Sequence, residues 1–422
     1  MGAKHGWKLD AEAVVVDKSR GRLIFIFITI MLDCIGIGII IPALPDVMRR
    51  FVSNESLVAA YFGYFISIYA LLQFLSSPFL GALSDRYGRR PILLLSLIGA
   101  ALDYVLMAFA PNLWILFIGR MISGLTGANM TVATAYIADI SDDKNRAANF
   151  GLIGAAFGIG FILGPALGGV LGAHNVHYPF LAAALFNGLN FLFGLFILPE
   201  SLPAEKRRTH IPTHELNPFR SFRHVFRPSP TRALVIVFVL FQLAGQVYPS
   251  TWTLYTEHKF QWTAAQVGFS LAVFGILAAI SQAWLSRIIL PKVGEKNAVI
   301  FGAFGLTATF ILLALAHSTA QIYMVVVGSG IFWISSPALQ SVITAGTPSN
   351  EQGSLQGSLN GLTSLTSIVS PIVATYLFAA FSNPAHSIYF PGAPFIYGAF
   401  MYAISCAVVL KKRSQASMMT LS

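Results

Sequence analysis

Charged side chains are scarce in this chain. Only 10% of its 422 residues are Asp, Glu, Lys or Arg, whereas 55% are hydrophobic. Because soluble domains carry about 25% charged residues, this composition excludes a water-soluble enzyme and a nucleic-acid-binding domain and indicates an integral membrane protein. The charge that is present is unbalanced, with 27 basic and 17 acidic residues for a net charge of +10. We attribute the excess to cationic loops beside anionic lipid head groups.

Cysteine is scarce as well, and both cysteines, Cys34 and Cys406, lie in apolar runs. Two such residues exclude a disulfide framework. The sequence also lacks a nucleotide-binding loop, a metal-ligand spacing and a Ser/His/Asp group on one membrane face. We therefore expect no enzymatic activity, no cofactor and no metal site.

Long apolar stretches dominate what remains. A stretch of about 20 apolar residues crosses a bilayer as a helix, and the sequence contains twelve of them. It therefore predicts an all-α membrane protein with two pseudo-symmetric groups of six helices. The predicted spans are 22–44, 58–81, 91–110, 113–136, 147–172, 179–199, 231–256, 263–288, 297–316, 320–345, 353–381 and 394–411.

The polar segments define the predicted domains. A linker at 200–230, rich in Pro, Arg and His, separates a first bundle at 22–199 from a second bundle at 231–411, and polar tails lie at 1–21 and 412–422. Of the 27 basic residues, 23 lie on the side of the tails and the linker, three lie on the other side, and Arg120 lies within a span. Basic residues accumulate in cytoplasmic loops, so both termini are predicted to be cytoplasmic.

A weak internal repeat links the two halves. Gly88 in the loop after the second span aligns with Gly294 after the eighth, an offset of 206 residues (88 to 294). Duplicated six-helix halves are one plan of secondary transporters, whose substrate site lies near the midplane between the halves.

Three ionisable residues lie inside predicted spans, namely Asp33, Asp103 and Arg120. An ionised side chain at mid-bilayer costs a few kcal/mol or more. Burial favours the neutral acid and a nearby cation favours the carboxylate, so an acid between these influences can exchange a proton as its exposure changes. We predict a proton-coupling role, and the alternative is an Asp–Arg pair that only holds helices together.

Two glycine-containing motifs add to this prediction. The general enrichment of basic residues in cytoplasmic loops explains the arginines between spans 2 and 3. It does not explain an aspartate and glycines at this spacing. Small residues every four positions in span 5 allow close helix packing, and Pro165 allows a bend. The loop motif comprises Gly81, Asp85, Arg86, Gly88, Arg89 and Arg90, and the span 5 motif comprises Gly154, Gly158, Gly164, Pro165, Gly168 and Gly169.

These motifs, together with the stretches at 32–45, 135–140 and 352–368, resemble the major facilitator superfamily, and in particular the tetracycline efflux branch of its drug–proton antiporters. The resemblance implies a monomeric twelve-helix exporter of the bacterial inner membrane that exchanges protons for drug. It also implies that Asp33 and Asp103 couple protons and that Arg120 is the family's arginine of span 4. Asp85 is implied to meet a helix N-terminus or an arginine and so to latch the outward-facing state. The chain departs from the family where Ala278 and Leu306 replace a histidine and an aspartate.

A substrate site should be mostly apolar with a few placed polar groups. Polar side chains in spans also join helices and aromatic ones anchor at the interface, so each candidate has a structural alternative. The candidates for substrate contact are Tyr69, Gln73, Asn129, Gln242, Gln246, Trp252, Gln282, Trp333, Gln340 and Asn360.

The leading hypothesis is therefore proton-driven export of a small amphiphilic, drug-like compound, with protons and lipid as the other partners. An uncoupled facilitator or an importer of a metabolite is the first alternative, since the aspartate of span 9 is absent. A membrane receptor or scaffold is the second alternative, and the two motifs count against it.

Overall fold

The chain folds into helices that are long and apolar enough to cross a membrane. The computed structural model contains twelve of them within the described residues, which confirms the predicted all-α membrane fold and the number of spans. We number them α1 Gly21–Ile40, α2 Glu55–Tyr87, α3 Arg89–Ala108, α4 Leu113–Ile140, α5 Ala148–His174, α6 Tyr178–Ile197, α7 Arg232–Phe260, α8 Ala264–Val293, α9 Glu295–Leu315, α10 Thr319–Ala345, α11 Leu355–Phe381 and α12 Ala393–Lys411. The structure describes residues 6–127, 129–142, 145–211, 216–221, 232–348, 351–384 and 388–419.

Several of these spans are parts of longer helices or are interrupted. The helix of α1 begins at Gly6 and that of α12 ends at Met419, so the described parts of both predicted tails, 6–20 and 412–419, continue a membrane helix. The interrupted spans are α4 (Leu113–Thr126 and Asn129–Ile140), α7 (Arg232–Gly245 and Val247–Phe260), α8 (Ala264–Ile280, a π turn Ser281–Leu285, and Ser286–Val293) and α10 (Thr319–Ser329, a 3₁₀ turn Gly330–Ile334, and Ser335–Ala345).

The first two spans differ from their predicted limits for local reasons. α1 ends at Ile40 instead of 44, because a turn at 41–43 precedes a separate short helix, Leu44–Arg49, with Pro45 in its first turn. Proline fits there because its missing N–H is not needed at a helix start. α2 begins earlier than predicted because the side chain of Asn54 accepts hydrogen bonds from two backbone N–H groups of the first turn.

The helices pack as two sets that meet along two lines. In the first set α1 packs on α5 and α3 on α6, and in the second set α9 and α7 both pack on α12. The sets meet where α2 contacts α11 and where α5 contacts α8. The approach is close at α5 and α8, since a Cβ added to Gly169 would lie 3.0 Å from Cα of Gly268. Small residues at such a contact allow backbones to pack directly.

The internal repeat is visible in the backbone. Gly88 and Gly294 are the described glycines with positive φ, at 103° and 80°, and each separates two consecutive spans. The same offset of 206 residues relates Asn112 to Ser318, whose side chains accept backbone hydrogen bonds at the starts of α4 and α10. The two halves therefore share turn chemistry as well as helix order.

We expect Gly294→Ala to lower the free energy of unfolding by about 1 kcal/mol, because an L side chain at this φ is strained. Gly88→Ala should cost more, since its new Cβ would also collide with the carboxylate of Glu200. Thermal unfolding in detergent measures both. Gly188→Ala is the control, since Gly188 is helical and a Cβ there meets nothing within 4 Å. Equal melting temperatures for all three variants would contradict the conclusion that the turns at Gly88 and Gly294 need a positive φ.

Candidate functional site

A buried ion pair lies between α3 and α4. Nη1 of Arg120 is 3.5 Å from Oδ2 of Asp103, and the side chains are 5% and 0% exposed. The guanidinium also lies over the ring of Tyr69, 3.9 Å from its centroid, and near the ring of Phe65 at 5.3 Å. Gly119 permits this arrangement, because a Cβ there would lie 2.8 Å from Oδ1 of Asp103. The charge of Arg120 is therefore held by one acid and two aromatic faces.

Asp33 on α1 has a different environment. Its Oδ1 accepts a hydrogen bond of 2.9 Å from Nδ2 of Asn129. Within the part of the chain that the structure describes, Asp33 forms no ion pair at 4.0 Å or less. Of the two membrane acids, Asp103 is thus neutralised by direct pairing and Asp33 is not.

The interruption of α4 positions this cluster. The carbonyl of Gly127 accepts a hydrogen bond of 3.2 Å from Nε2 of Gln73, and the carbonyl of Gly124 accepts one of 3.0 Å from Oγ of Ser76. These α2 side chains satisfy carbonyls at the break, which lipid could not do. Gln73 also donates to the hydroxyl of Tyr69, at 3.1 Å. Interrupted helices typically form the substrate and ion sites of secondary transporters.

In the second half, two amides join α7 to α11. Nε2 of Gln242 donates to Oγ1 of Thr363 at 3.0 Å, and Nε2 of Gln246 donates to Oγ of Ser367 at 2.7 Å. Gln246 lies at the interruption of α7, between its two helices. These predicted substrate residues therefore also hold two helices together.

The other predicted substrate residues lie apart from the acids. Trp252 is fully buried, donates from Nε1 to Ser270 at 2.8 Å and stacks on Tyr248. Trp333 packs edge-on against Phe274, with ring centroids 4.9 Å apart. Three polar candidates are exposed: Gln282 in the π turn of α8, Gln340 near the end of α10, and Asn360 on α11. At the two positions where the chain departs from the family pattern, Leu306 is buried in the core and Ala278 is half-buried.

The motif of α5 has two faces. Gly164, Gly168 and the ring of Pro165 pack on α1, whereas Gly169 and the carbonyl oxygen of Pro165 pack on Gly268 of α8. Helical spacing places Gly158 and Gly154 on the same face as Pro165 and Gly169, but a Cβ added to either would meet nothing within 4 Å. The α5–α8 contact therefore exists only along part of the motif.

The loop motif at 81–90 is the centre of a charge network. Arg89 contacts Asp85 and lies 3.1 Å from Oδ2 of Asp139. Glu200 accepts the backbone N–H groups of Arg89 at 2.8 Å and Arg90 at 3.3 Å, so its charge lies at the N-terminus of α3, where the helix dipole favours an anion. Arg86 is exposed beside the ring of Tyr87.

Sequence reasoning missed Asp139, Glu200 and Arg208 as partners of this loop. Nε of Arg208 lies 3.6 Å from Oδ2 of Asp85, and its backbone N–H donates to the carbonyl of Asp85 at 3.0 Å. The available signal was that Asp139 and Glu200 occur in stretches near span ends, where an acid can meet the arginines of a neighbouring loop.

The two ends of the molecule differ. At the end that carries the 81–90 loop, which we call the loop end, a cavity of about 430 Å³ lies between α2 and α11 and is lined by Pro78, Gly81 and Asn360. At the opposite end, which we call the far end, Oγ of Ser56 donates to the carbonyl of Ala379 across the same pair of helices at 3.1 Å. The halves are therefore closed at the far end and separated at the loop end.

Comparison with known proteins decides the family. The family described as Major Facilitator Superfamily matches residues 26–371. The chain belongs to the major facilitator superfamily. The predicted resemblance is confirmed, and this major facilitator protein is a multi-pass integral membrane transporter of small molecules and not an enzyme.

Relatives of this major facilitator protein include known resistance proteins. Tetracycline resistance protein, class C, of Escherichia coli is 44% identical over 397 residues, 94% of this chain and 98% of the relative. Multidrug resistance protein 2 of Bacillus subtilis (strain 168) is 29% identical over 375 residues, 86% of this chain and 90% of the relative. The crystal structure of the human organic anion transporter MFSD10 is similar with a TM-score of 0.67 and 26% identity, covering 93% of this chain and 99% of that one.

The two membrane acids should differ in their effect on stability. Asp103→Asn leaves the buried Arg120 without its acid, so we expect a loss of about 3 kcal/mol or more. Asp33→Asn retains an oxygen that accepts from Asn129, so we expect a loss under about 1 kcal/mol. Thermal unfolding in detergent measures both variants. If Asp33→Asn were the more destabilised, the assignment of the ion pair would be wrong.

Proposed function

We propose that this protein exports small amphiphilic, drug-like compounds in exchange for protons, with a central cavity that opens alternately at its two ends. The observation that carries the proposal is Asp33, a membrane carboxylate with no direct cation among the described residues, beside the Arg120–Asp103 pair and the interruption of α4. Relatives named for tetracycline and multidrug resistance support the same function.

The charge of the cluster suggests how exchange occurs. With all three groups ionised, Asp33, Asp103 and Arg120 carry a net charge of −1. Enclosing that charge in the membrane costs free energy, and either a proton on Asp33 or a cationic substrate removes it. Because one charge is neutralised by one occupant at a time, proton and substrate exclude each other, which is the condition for antiport.

The remaining groups support this cycle. The glycine face of α5 forms a surface on which α8 can pack closely or separate, and the Asp85–Arg89 network stabilises the loop end. We propose that the bundles 22–199 and 231–411 move as units joined by the linker 200–230, that Tyr69, Gln73, Asn129, Gln242 and Gln246 line the substrate route, and that the protein acts as a monomer without a cofactor. The excess of basic residues supports a cytoplasmic loop end and cytoplasmic termini, in a bacterial inner membrane.

In proteoliposomes with an imposed pH gradient, we expect accumulation of a lipophilic organic cation against its own gradient. Asp33→Asn should abolish the accumulation and also weaken exchange of labelled for unlabelled substrate, because the carboxylate that binds the proton is the one that neutralises the cation. Glu205→Gln, an exposed acid of the linker, is the control and should transport normally. Flux that ignores the pH gradient, or gradient-driven accumulation by Asp33→Asn, would refute proton coupling.

Metal ions should not assist substrate binding. Ala278 and Leu306 provide no ligand where the family has an ionisable pair, and the described residues contain no cluster of three metal-binding side chains. We therefore expect the dissociation constant of a bound drug, measured by fluorescence titration, to be the same with Mg²⁺ and with EDTA. Binding that requires Mg²⁺ would show that a metal chelate is recognised by other groups.

A further inference from the structure

A second charge cluster lies at the far end, outside the site described above. Arg49, in the short helix before α2, contacts three acids: Asp46 at 2.8 Å, Glu55 at 3.0 Å and Glu257 at 2.8 Å. Asp46 and Glu55 belong to the first half of the chain, whereas Glu257 lies near the end of α7 in the second half. Among the ion pairs between described residues, Arg49–Glu257 is the one that joins the two sets of six helices.

The two partners of this pair are not equivalent. If the far end opens, Arg49 keeps Asp46 and Glu55, which move with it. Glu257 has no other ionic partner among the described side chains, and it is also the less exposed partner, at 9% against 27% for Arg49. Opening therefore leaves Arg49 neutralised but separates Glu257 from its cation, so the free energy of this one contact acts directly on the conformational equilibrium.

The surroundings allow the pair to separate. A cavity of about 390 Å³ beside it is lined by Glu257, His258, Trp262 and Thr263, so water can reach the carboxylate. Asp46 and Glu55 also line this cavity, and the Nε2 of its histidine, His258, is engaged with the hydroxyl of Tyr389 at 3.0 Å. Other far-end contacts between described residues of the two halves include the hydrogen bond from Ser56 to the carbonyl of Ala379 and the packing of Gly63 on Thr375. Water can replace such neutral hydrogen bonds at little cost, whereas a hydrogen bond between charged groups contributes more to stability.

We infer that Arg49 and Glu257 are positioning residues for the transport cycle and form the gate that holds the far end closed while the loop end is open. This inference rests on the proposed alternating function. Asp46 and Glu55 have a supporting role, because they keep Arg49 oriented and neutralised in both states.

The test uses a cysteine reporter buried by far-end closure. Thr375 is 1% exposed and packs against Gly63 at the α2–α11 contact. In the full chain with Cys34→Ala and Cys406→Ala, Thr375→Cys is labelled by a membrane-impermeant maleimide only when the far end opens. A second reporter, Asn360→Cys, lies in the loop-end cavity and should respond in the opposite direction.

Glu257→Gln should raise the labelling rate of the Thr375→Cys reporter about ten-fold, the effect of losing a charge-assisted contact of roughly 1.4 kcal/mol, and should slow labelling of Asn360→Cys. Glu55→Gln is the matched control, since it removes an acid from the same arginine within one half, and should change labelling less than about two-fold. A double Arg49→Gln, Glu257→Gln variant should behave like Glu257→Gln, because the pair is already absent.

Salt provides a readout that does not require a substitution at the gate. Raising ionic strength screens a partly exposed pair, so far-end labelling should rise with salt in the parent protein and not in Glu257→Gln. Equal effects of Glu55→Gln and Glu257→Gln, or no change in either, would overturn the inference. The labelling assay requires neither a proton gradient nor a substrate. The expected labelling changes without gradient-driven transport would therefore refute only the proposed function. Gradient-driven transport without those labelling changes would refute only the gate.

Discussion

An uncompensated negative charge inside the membrane is the constraint on which the structure depends. Arg120 neutralises Asp103 directly, and Asp33 is left with an amide as its nearest partner. A carboxylate in hydrocarbon is costly, and we propose that its occupancy by a proton or by a cationic ligand is coupled to whether the site is open to water. Much of the local geometry serves this arrangement, including the close approach at Gly119 and the interruption of α4 after Gly127.

The contacts between the two halves are suited to separation. Along α5, Pro165 and Gly169 pack on α8, while Gly158 and Gly154 on the same face stand free. A surface of small residues has few interlocking side chains, so it can close at one end and open at the other without repacking a core. At the far end the Arg49–Glu257 pair joins the two halves, whereas the Asp85–Arg89 network at the loop end lies within the first half and the linker.

The fold was largely predictable from the sequence, because each span must be apolar over about 20 residues and the loops between them are short. The glycine pair Gly88 and Gly294 also indicated the repeat, since both turns need a positive φ. The membrane acids were recognisable because hydrocarbon tolerates few charges. The interruption of α4 was not predictable in the same way, because its free carbonyls are satisfied by partners such as Gln73, which lie far away in the sequence.

The distribution of the polar residues shows a further limit of sequence reasoning. Tyr69, Gln73 and Asn129 do gather around the acids, but Trp252 is enclosed at the far end and Gln340 lies near the loop end. Residue type and membrane depth do not show which polar residues lie near the acids and which lie elsewhere, because the side of a helix that faces the cavity depends on how the helices pack. The partners Asp139, Glu200 and Glu257 were missed for the same reason, since each meets an arginine from another part of the chain.

The central claim is that one proton and one cationic substrate compete for the charge at Asp33. The most direct measurement is the number of protons released when a cationic substrate binds to purified protein in weakly buffered solution. The account predicts release of about one proton per bound substrate by the parent protein at a pH where the site is protonated, and none by Asp33→Asn. Substrate binding without proton release, or equal release by Asp33→Asn, would contradict it.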